Sequence, residues 1–298
     1  MCYRIEVAWG AWRRSCLKRF RPAYVRRMAE LRRGDVTGAP HEILDPRDLK
    51  FCRNQCSASW DPADDPFSWR DRIPFARWGL AELELMGWPL LLLTVLSAYY
   101  VGYAAPVFAV LLALVVWFFR DPPRQIPQEA GMMVSPADGK IAEITRLERD
   151  DFVGGPAVRI GIFLSIFNVH LNRSPAAARV VGLRYSPGKF LNAMRPESAR
   201  ENESMWIGLE DETPPHRRLV VRQIAGAYAR RIVCALRPGE VVGRGDKIGM
   251  IKLGSRTELI LADEPGLRID VNVGDRVKAG TSVLAHYEPT PAGEHRRP

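Results

Sequence analysis

The sequence predicts a mainly β chain with some α structure: a pseudo-symmetric β-sandwich or hybrid-barrel domain preceded by an apolar helical hairpin. Three observations carry this. From residue 131 onward, short alternating apolar runs are punctuated by Gly, Pro and Asp, the pattern of a domain built from strands. Within that region Gly239-Glu-Val-Val-Gly-Arg-Gly-Asp-Lys-Ile248 is echoed, 35 residues later, by Gly274-Asp-Arg-Val-Lys-Ala-Gly-Thr-Ser-Val283. Both read as turn–strand–turn units, and two copies of one unit imply a pseudo-symmetric pair. Ahead of them, residues 88–119 hold no charged side chain over 32 positions, more than the ~20 that one membrane-spanning helix needs.

In chain order, residues 1–76 form a basic extension, partly helical or disordered. Residues 1–33 carry ten Lys/Arg against two Asp/Glu. Arg13 to Arg33 reads as a helix with Leu17, Phe20, Tyr24, Val25, Met28 and Leu31 on one stripe. Such a stripe suits a helix lying in a membrane interface, and equally one packed on the protein's own core. Asp61-Pro-Ala-Asp-Asp-Pro66 reads as linker.

Residues 77–124 hold the hairpin. Gly102 and Pro106 divide the apolar run into two pieces of roughly 14 residues, each short for a full span. Arg70, Arg72 and Arg77 precede the run and Arg120 and Arg124 follow it. Cations at both ends favour a cytoplasmic location for both. The expectation is a hairpin dipping into the cell membrane from its cytoplasmic face, with Trp88 and Trp117 among the headgroups. A buried core hairpin is the alternative.

Residues 125–288 form the β domain. Strands are predicted over 140–147, 158–164, 179–185, 217–224, 231–236, 247–253, 257–261, 268–271 and 282–286. Residues 289–298 are a polar tail.

Composition excludes several classes. The chain has 298 residues, a net charge of +9, 47% hydrophobic and 26% charged residues, ordinary for a folded protein. Its five cysteines, at 2, 16, 52, 56 and 234, are an odd set in a long chain, which argues against a disulfide framework. Cys52 and Cys56 lack a second Cys/His pair of matching spacing, so no metal is expected. The basic charge comes with no nucleic-acid motif, so lipid rather than nucleic acid is the expected partner.

The chemistry centres on Gly254-Ser255, between two apolar runs. Gly254 has no Cβ, so its backbone can adopt unusual conformations and its carbonyl can be approached closely. In a strained peptide the Ser255 hydroxyl can attack the preceding carbonyl and turn the amide into an ester. Elimination and hydrolysis then leave a pyruvoyl group at a new N-terminus. A pyruvoyl ketone condenses with an amine and takes up electrons as CO2 leaves. Gly-Ser alone is more often a turn. Three further stretches stand out: Ser135-Pro-Ala-Asp-Gly-Lys140, Asn168-Val-His-Leu-Asn-Arg-Ser-Pro175, and Tyr185-Ser-Pro-Gly-Lys-Phe190 followed by Glu201-Asn-Glu203. Singly, Asp138 reads as a turn residue, His170 as a core histidine, and Arg173 and Lys189 as solvated cations.

Together these stretches resemble the phosphatidylserine decarboxylase proenzyme family, in its short, archaeal-type class. Phe118-Phe-Arg-Asp-Pro-Pro-Arg124, Ile224-Ala-Gly226, Ala229-Arg-Arg-Ile232 and Gly249-Met-Ile-Lys-Leu-Gly-Ser-Arg256 continue the series. The motifs occur in family order over about 79–287. The resemblance implies that Ser255 becomes the pyruvoyl group. It also implies that cleavage of Gly254-Ser255 yields a large chain 1–254 and a small chain 255–298, which pair and can dimerise further. It makes Asp138, His170 and Ser255 the self-processing set. A histidine titrates near neutrality and can take the hydroxyl proton; Asp138 would orient it. Arg173, Lys189 and Asn168 are candidates to hold the phospholipid headgroup. Two other readings stay open: a serine hydrolase, which lacks the Gly-x-Ser-x-Gly elbow, and a membrane-tethered hybrid-barrel binding module without cleavage.

Overall fold

The computed structural model describes residues 11–12, 15–31, 68–195, 197–227, 231–234, 236–252 and 254–288. The expected Asp/Pro linker, Cys52, Cys56 and the polar tail lie outside the described residues. In the N-terminal extension, helix α1 spans Pro22–Leu31. Met28 on it is buried and Phe20 just ahead of it is 75% exposed, so the predicted stripe divides between the two roles proposed for it.

The hairpin consists of α2 (Leu80–Tyr100) and α3 (Ala105–Phe118). They are joined by a turn in which Gly102 has φ 46° and Pro106 sits in the first turn of α3, a position that needs no N–H donor. The first helix is longer than predicted. It starts eight residues before Trp88 and runs through Pro89, because Glu82 and Glu84, which mark the edge of the apolar run, still lie on helix. Two of the flanking arginines turn inward: Arg77 pairs with Asp71 at 2.6 Å and Arg124 with Asp138 at 2.9 Å.

The β region is a sandwich. An eight-stranded sheet has the order β13-β2-β3-β11-β7-β6-β5-β9, and two three-stranded sheets, β1-β14-β12 and β4-β10-β8, cover one face. The long strands are β2 (Gly139–Asp150), β3 (Gly155–Leu164), β5 (Ala178–Ser186), β6 (Ser204–Asp211), β7 (Arg218–Ile224) and β11 (Ser255–Ala262). The small sheets use β1 (Met132–Val134), β4 (Leu171–Arg173), β8 (Arg231–Cys234), β10 (Lys247–Lys252), β12 (Leu267–Ile269) and β14 (Val283–Tyr287). The main core lies between the layers, with Ile160, Ile162, Leu164, Ile207 and Leu259 from the large sheet facing Met133, Ile248, Ile251 and Leu284.

The internal echo accounts for the symmetry. Its two short strands, β9 (Val241–Val242) and β13 (Arg276–Val277), close opposite edges of the large sheet. Each then leads into the central strand of a small sheet, β10 or β14. The two turns meet: a Cβ on Gly280 would come within 2.9 Å of Ile126, and one on Gly245 within 2.6 Å of the same side chain. Both glycines have positive φ, so the turn geometry and the close packing require the same residue.

Candidate active site

Strand β11 is central, paired with β3 from Ser255↔Leu164 onward and with β7 from Arg256↔Ile224. Alternation along a strand sorts its side chains. Ser255, Thr257, Leu259 and Leu261 face the core; Arg256, Glu258 and Ile260 face the other side. That second face holds an ion-pair ladder: Arg256 to Glu258 at 3.0 Å, Arg256 to Glu143 at 2.7 Å, Arg159 to Glu143 at 3.1 Å and Arg222 to Glu258 at 3.5 Å. Gly161 leaves space for it, since a Cβ there would lie 2.4 Å from the Arg256 guanidinium.

Ser255 is fully buried, and its Oγ has no hydrogen-bond partner among the described residues. A buried hydroxyl left unpaired costs about 1–3 kcal/mol. Gly254 before it has φ 64°. Its carbonyl oxygen abuts Gly226, where a Cβ would sit 1.7 Å away. Two glycines are therefore needed here, one to turn the chain and one to admit the carbonyl.

His170 reaches the peptide on the N-terminal side of Gly254, one bond before the Gly-Ser linkage, from the loop after β3. The loop is closed by Asn168, whose Oδ1 accepts from Ser165 N–H at 2.9 Å and from Ser165 Oγ at 2.8 Å. The Asn168 carbonyl accepts from His170 Nδ1 at 2.9 Å, and Gly254 N–H donates to His170 Nε2 at 3.3 Å. A carbonyl can only accept and an amide N–H can only donate, so the proton is on Nδ1 and the lone pair on Nε2. Burial pushes the His170 pKa down from 6.5 to about 4, with the Asn168 bond opposing and Arg120 reinforcing the shift. The ring is neutral at pH 7 and lies 4.4 Å, centroid to centroid, from Phe118 at the foot of α3.

Asp138 is not in hydrogen-bond contact with His170, contrary to the expected triad. Both of its oxygens lie 2.9 Å from Arg124 Nη2, and Oδ1 also accepts the Ala279 N–H at 2.8 Å. The Asn168 main chain takes the orienting role instead. Burial lowers the pKa of Arg120, and the Asp138 charge only partly offsets that shift.

The expected headgroup contacts are engaged elsewhere. Arg173 is buried, bonded to Asp121 at 2.8 Å and to the Gly245 carbonyl at 2.9 Å. Lys189 is exposed and pairs with Glu201 at 2.7 Å. The Asn168 side chain braces its own loop.

Several contributors were not singled out from the sequence. Asn172 donates to Thr257 Oγ1 at 3.0 Å and accepts from Gln223 at 2.8 Å, all three buried. Lys252, on the strand leading to Gly254, pairs with Glu82 in the first turn of α2. Phe118, Phe119 and Trp78 form one apolar cluster with Val169, Leu171 and Met250. The foot of the hairpin thus grips both the His170 loop and the strand before the Gly-Ser peptide. Phe118 and Arg124 stood in the quoted motifs; a pairing such as Glu82–Lys252 left no local signal.

The model of the phosphatidylserine decarboxylase family matches residues 111–285. Among curated relatives, the phosphatidylserine decarboxylase proenzyme of Rhodopirellula baltica is 51% identical over 240 residues, covering 80% of this chain and 99% of the relative. The proenzyme of Nitrosomonas eutropha is 40% identical, covering 67% and 93%. That of Desulfotalea psychrophila is 38% identical, covering 72% and 96%. None of these organisms is archaeal, so the archaeal-type affiliation expected from the motifs is not supported.

Proposed function

The chain belongs to the phosphatidylserine decarboxylase family, and we propose that it makes a pyruvoyl group from its own Ser255 and uses it to convert phosphatidylserine to phosphatidylethanolamine and CO2. One observation carries the reading: a buried, unpartnered serine hydroxyl follows a glycine whose amide already touches the lone pair of a neutral histidine.

The ester-forming step uses only groups of this chain. His170 Nε2 exchanges its long contact with Gly254 N–H for the Ser255 proton. Oγ forms a bond to the Gly254 carbonyl carbon, the C–N bond breaks, and the proton passes to the Ser255 nitrogen, leaving an ester. Loss of the Ser255 α-proton and departure of the Gly254 carboxylate give dehydroalanine. Its imine tautomer takes up water and releases ammonia, leaving the ketone. The small chain 255–298 stays in place because β11 pairs with β3 and β7, both in the large chain 1–254.

When formed, the pyruvoyl ketone supplies an electron sink for decarboxylation of a bound amine. Leu164, across the strand pair from Ser255, and Phe118, against the His170 ring, are both buried. We assign His170 the return of a proton to the substrate carbon. Of the expected headgroup contacts, Lys189 keeps an exposed cationic end, its side chain being 69% accessible. Helices α2 and α3 would sit in the cytoplasmic leaflet. In support, a window within Arg77–Tyr100 long enough to span is only 6% buried.

The test is carbon dioxide release from carboxyl-labelled phosphatidylserine by the wild-type protein and Ser255→Ala. The expected result is release by the first and none by the second. Release by Ser255→Ala would refute the pyruvoyl mechanism.

A further inference from the structure

Two consecutive bulky apolar side chains, Ile166 and Phe167, project from the loop that carries His170, 48% and 59% exposed. The loop is not slack. Asn168 N–H donates to the Ser165 carbonyl at 3.0 Å while its side chain accepts both Ser165 donors, so the two residues between are held outward by a closed turn. The Phe167 carbonyl is bolted to the foot of the hairpin. It accepts from Trp117 Nε1 at 3.1 Å and from Arg120 Nη2 at 3.0 Å, and the Arg120 guanidinium lies 3.9 Å over the Trp117 ring. Trp117 is 52% exposed and ends an apolar helix surface that includes Val107, Val110, Leu111 and Leu114. Exposed apolar side chains therefore continue from the hairpin, across the Trp117–Phe167 contact, onto the loop.

We propose that the Ile166–Phe167 loop is a second membrane contact, entering the interfacial layer beside Trp117 and setting the active site at headgroup level. The proposal rests on the lipid-embedded hairpin argued above. A bilayer is the occupant because the adjoining helix surface is apolar along its length, and because the paired tryptophan and arginine at the joint are the residue types that settle among lipid headgroups. His170 lies three residues after Phe167, whose carbonyl is anchored to Trp117 and Arg120, so immersion of the loop brings the imidazole to the level of a phospholipid amine without lifting the lipid out of the leaflet.

The test is the double variant Ile166→Asp/Phe167→Asp of the full chain, assayed on vesicles of phosphatidylcholine and phosphatidylserine and on a short-chain, water-soluble phosphatidylserine. The variant should be cleaved like the wild type and should still float with vesicles, since the hairpin remains. The mole fraction of phosphatidylserine needed for half-maximal rate should rise about tenfold, equivalent to about 1.4 kcal/mol. Turnover at saturation and activity on the short-chain substrate should hold. In parallel, Phe167→Trp should show more fluorescence quenching by brominated lipids than the wild type. Equal loss on both substrates, or no change on vesicles together with no extra quenching, would overturn the proposal. Failure of the wild type to float with vesicles would instead refute the membrane reading beneath it.

Discussion

Strand β11 and helix α2 sort their side chains in opposite senses. All eight residues of β11 are buried, including Ser255, Arg256, Thr257 and Glu258. Ser97 alone is buried among the 21 residues of α2, while Trp88, Leu92 and Val95 are more than half exposed. In these two elements hydrophobicity therefore does not track burial. A central strand covered on both faces can hold charge where partners complete it. An apolar helix stands uncovered where its surroundings are lipid rather than water. The contrast separates a rigid frame, which fixes one peptide bond, from an exposed apolar hairpin, to which the proposed function gives the bilayer as its surroundings.

The sharpest way to break this contrast is to unpair the charge in the strand. Glu258→Ala leaves Arg256 and Arg222 short of a buried partner. Loss of one member of such a pair costs about 3–5 kcal/mol, readable as a lowered urea midpoint. A midpoint like the wild type's would mean that the ladder is solvated. Gly226→Ala follows. Its Cβ would meet the Gly254 carbonyl oxygen, and a displacement of about 1 Å can cost about a hundredfold in rate, so uncleaved chain should accumulate on gels. Full cleavage at the normal rate would place the reacting carbonyl elsewhere.

Acid gives a third effect. His170 titrates near 4 rather than 6.5 because it is buried, so between those values the unfolded chain binds the proton first. Its contribution to stability is complete above about 6.5 and is lost as pH falls through about 4, a loss of about 3 kcal/mol. Self-processing should hold down to about pH 5 and fall below it. A midpoint near 6.5 would mean an exposed imidazole. The smallest effect belongs to the hairpin: Leu92→Ala, on the exposed face of α2, should change unfolding of the β domain by less than about 0.5 kcal/mol.

Much of the frame was legible because strands announce themselves by alternation and turns by glycine. The echo at 239–248 and 274–283 read as two turn–strand–turn units of a pseudo-symmetric pair; that their short strands close the edges of the large sheet was visible only in the fold. Strand β6 was missed because Ser204-Met-Trp-Ile-Gly-Leu carries no alternation; all but Trp206 and Glu210 are buried on it. Short strands β1 and β4 were hidden in segments that read as loops. Ser255, His170 and Asp138 could be named from their motifs, but not their wiring. His170 is oriented by a main-chain carbonyl, which leaves no trace in the residue types. Asp138 is claimed by Arg124, a residue that stood in a quoted motif and among the flanking cations with nothing to name its partner.

The most direct test of the central claim is the intact mass of the purified protein, with and without borohydride. The account predicts two chains, 1–254 and 255–298, the smaller with a blocked N-terminus whose mass rises on reduction of its ketone. A single chain of full mass in a preparation that releases CO2 from phosphatidylserine would contradict it.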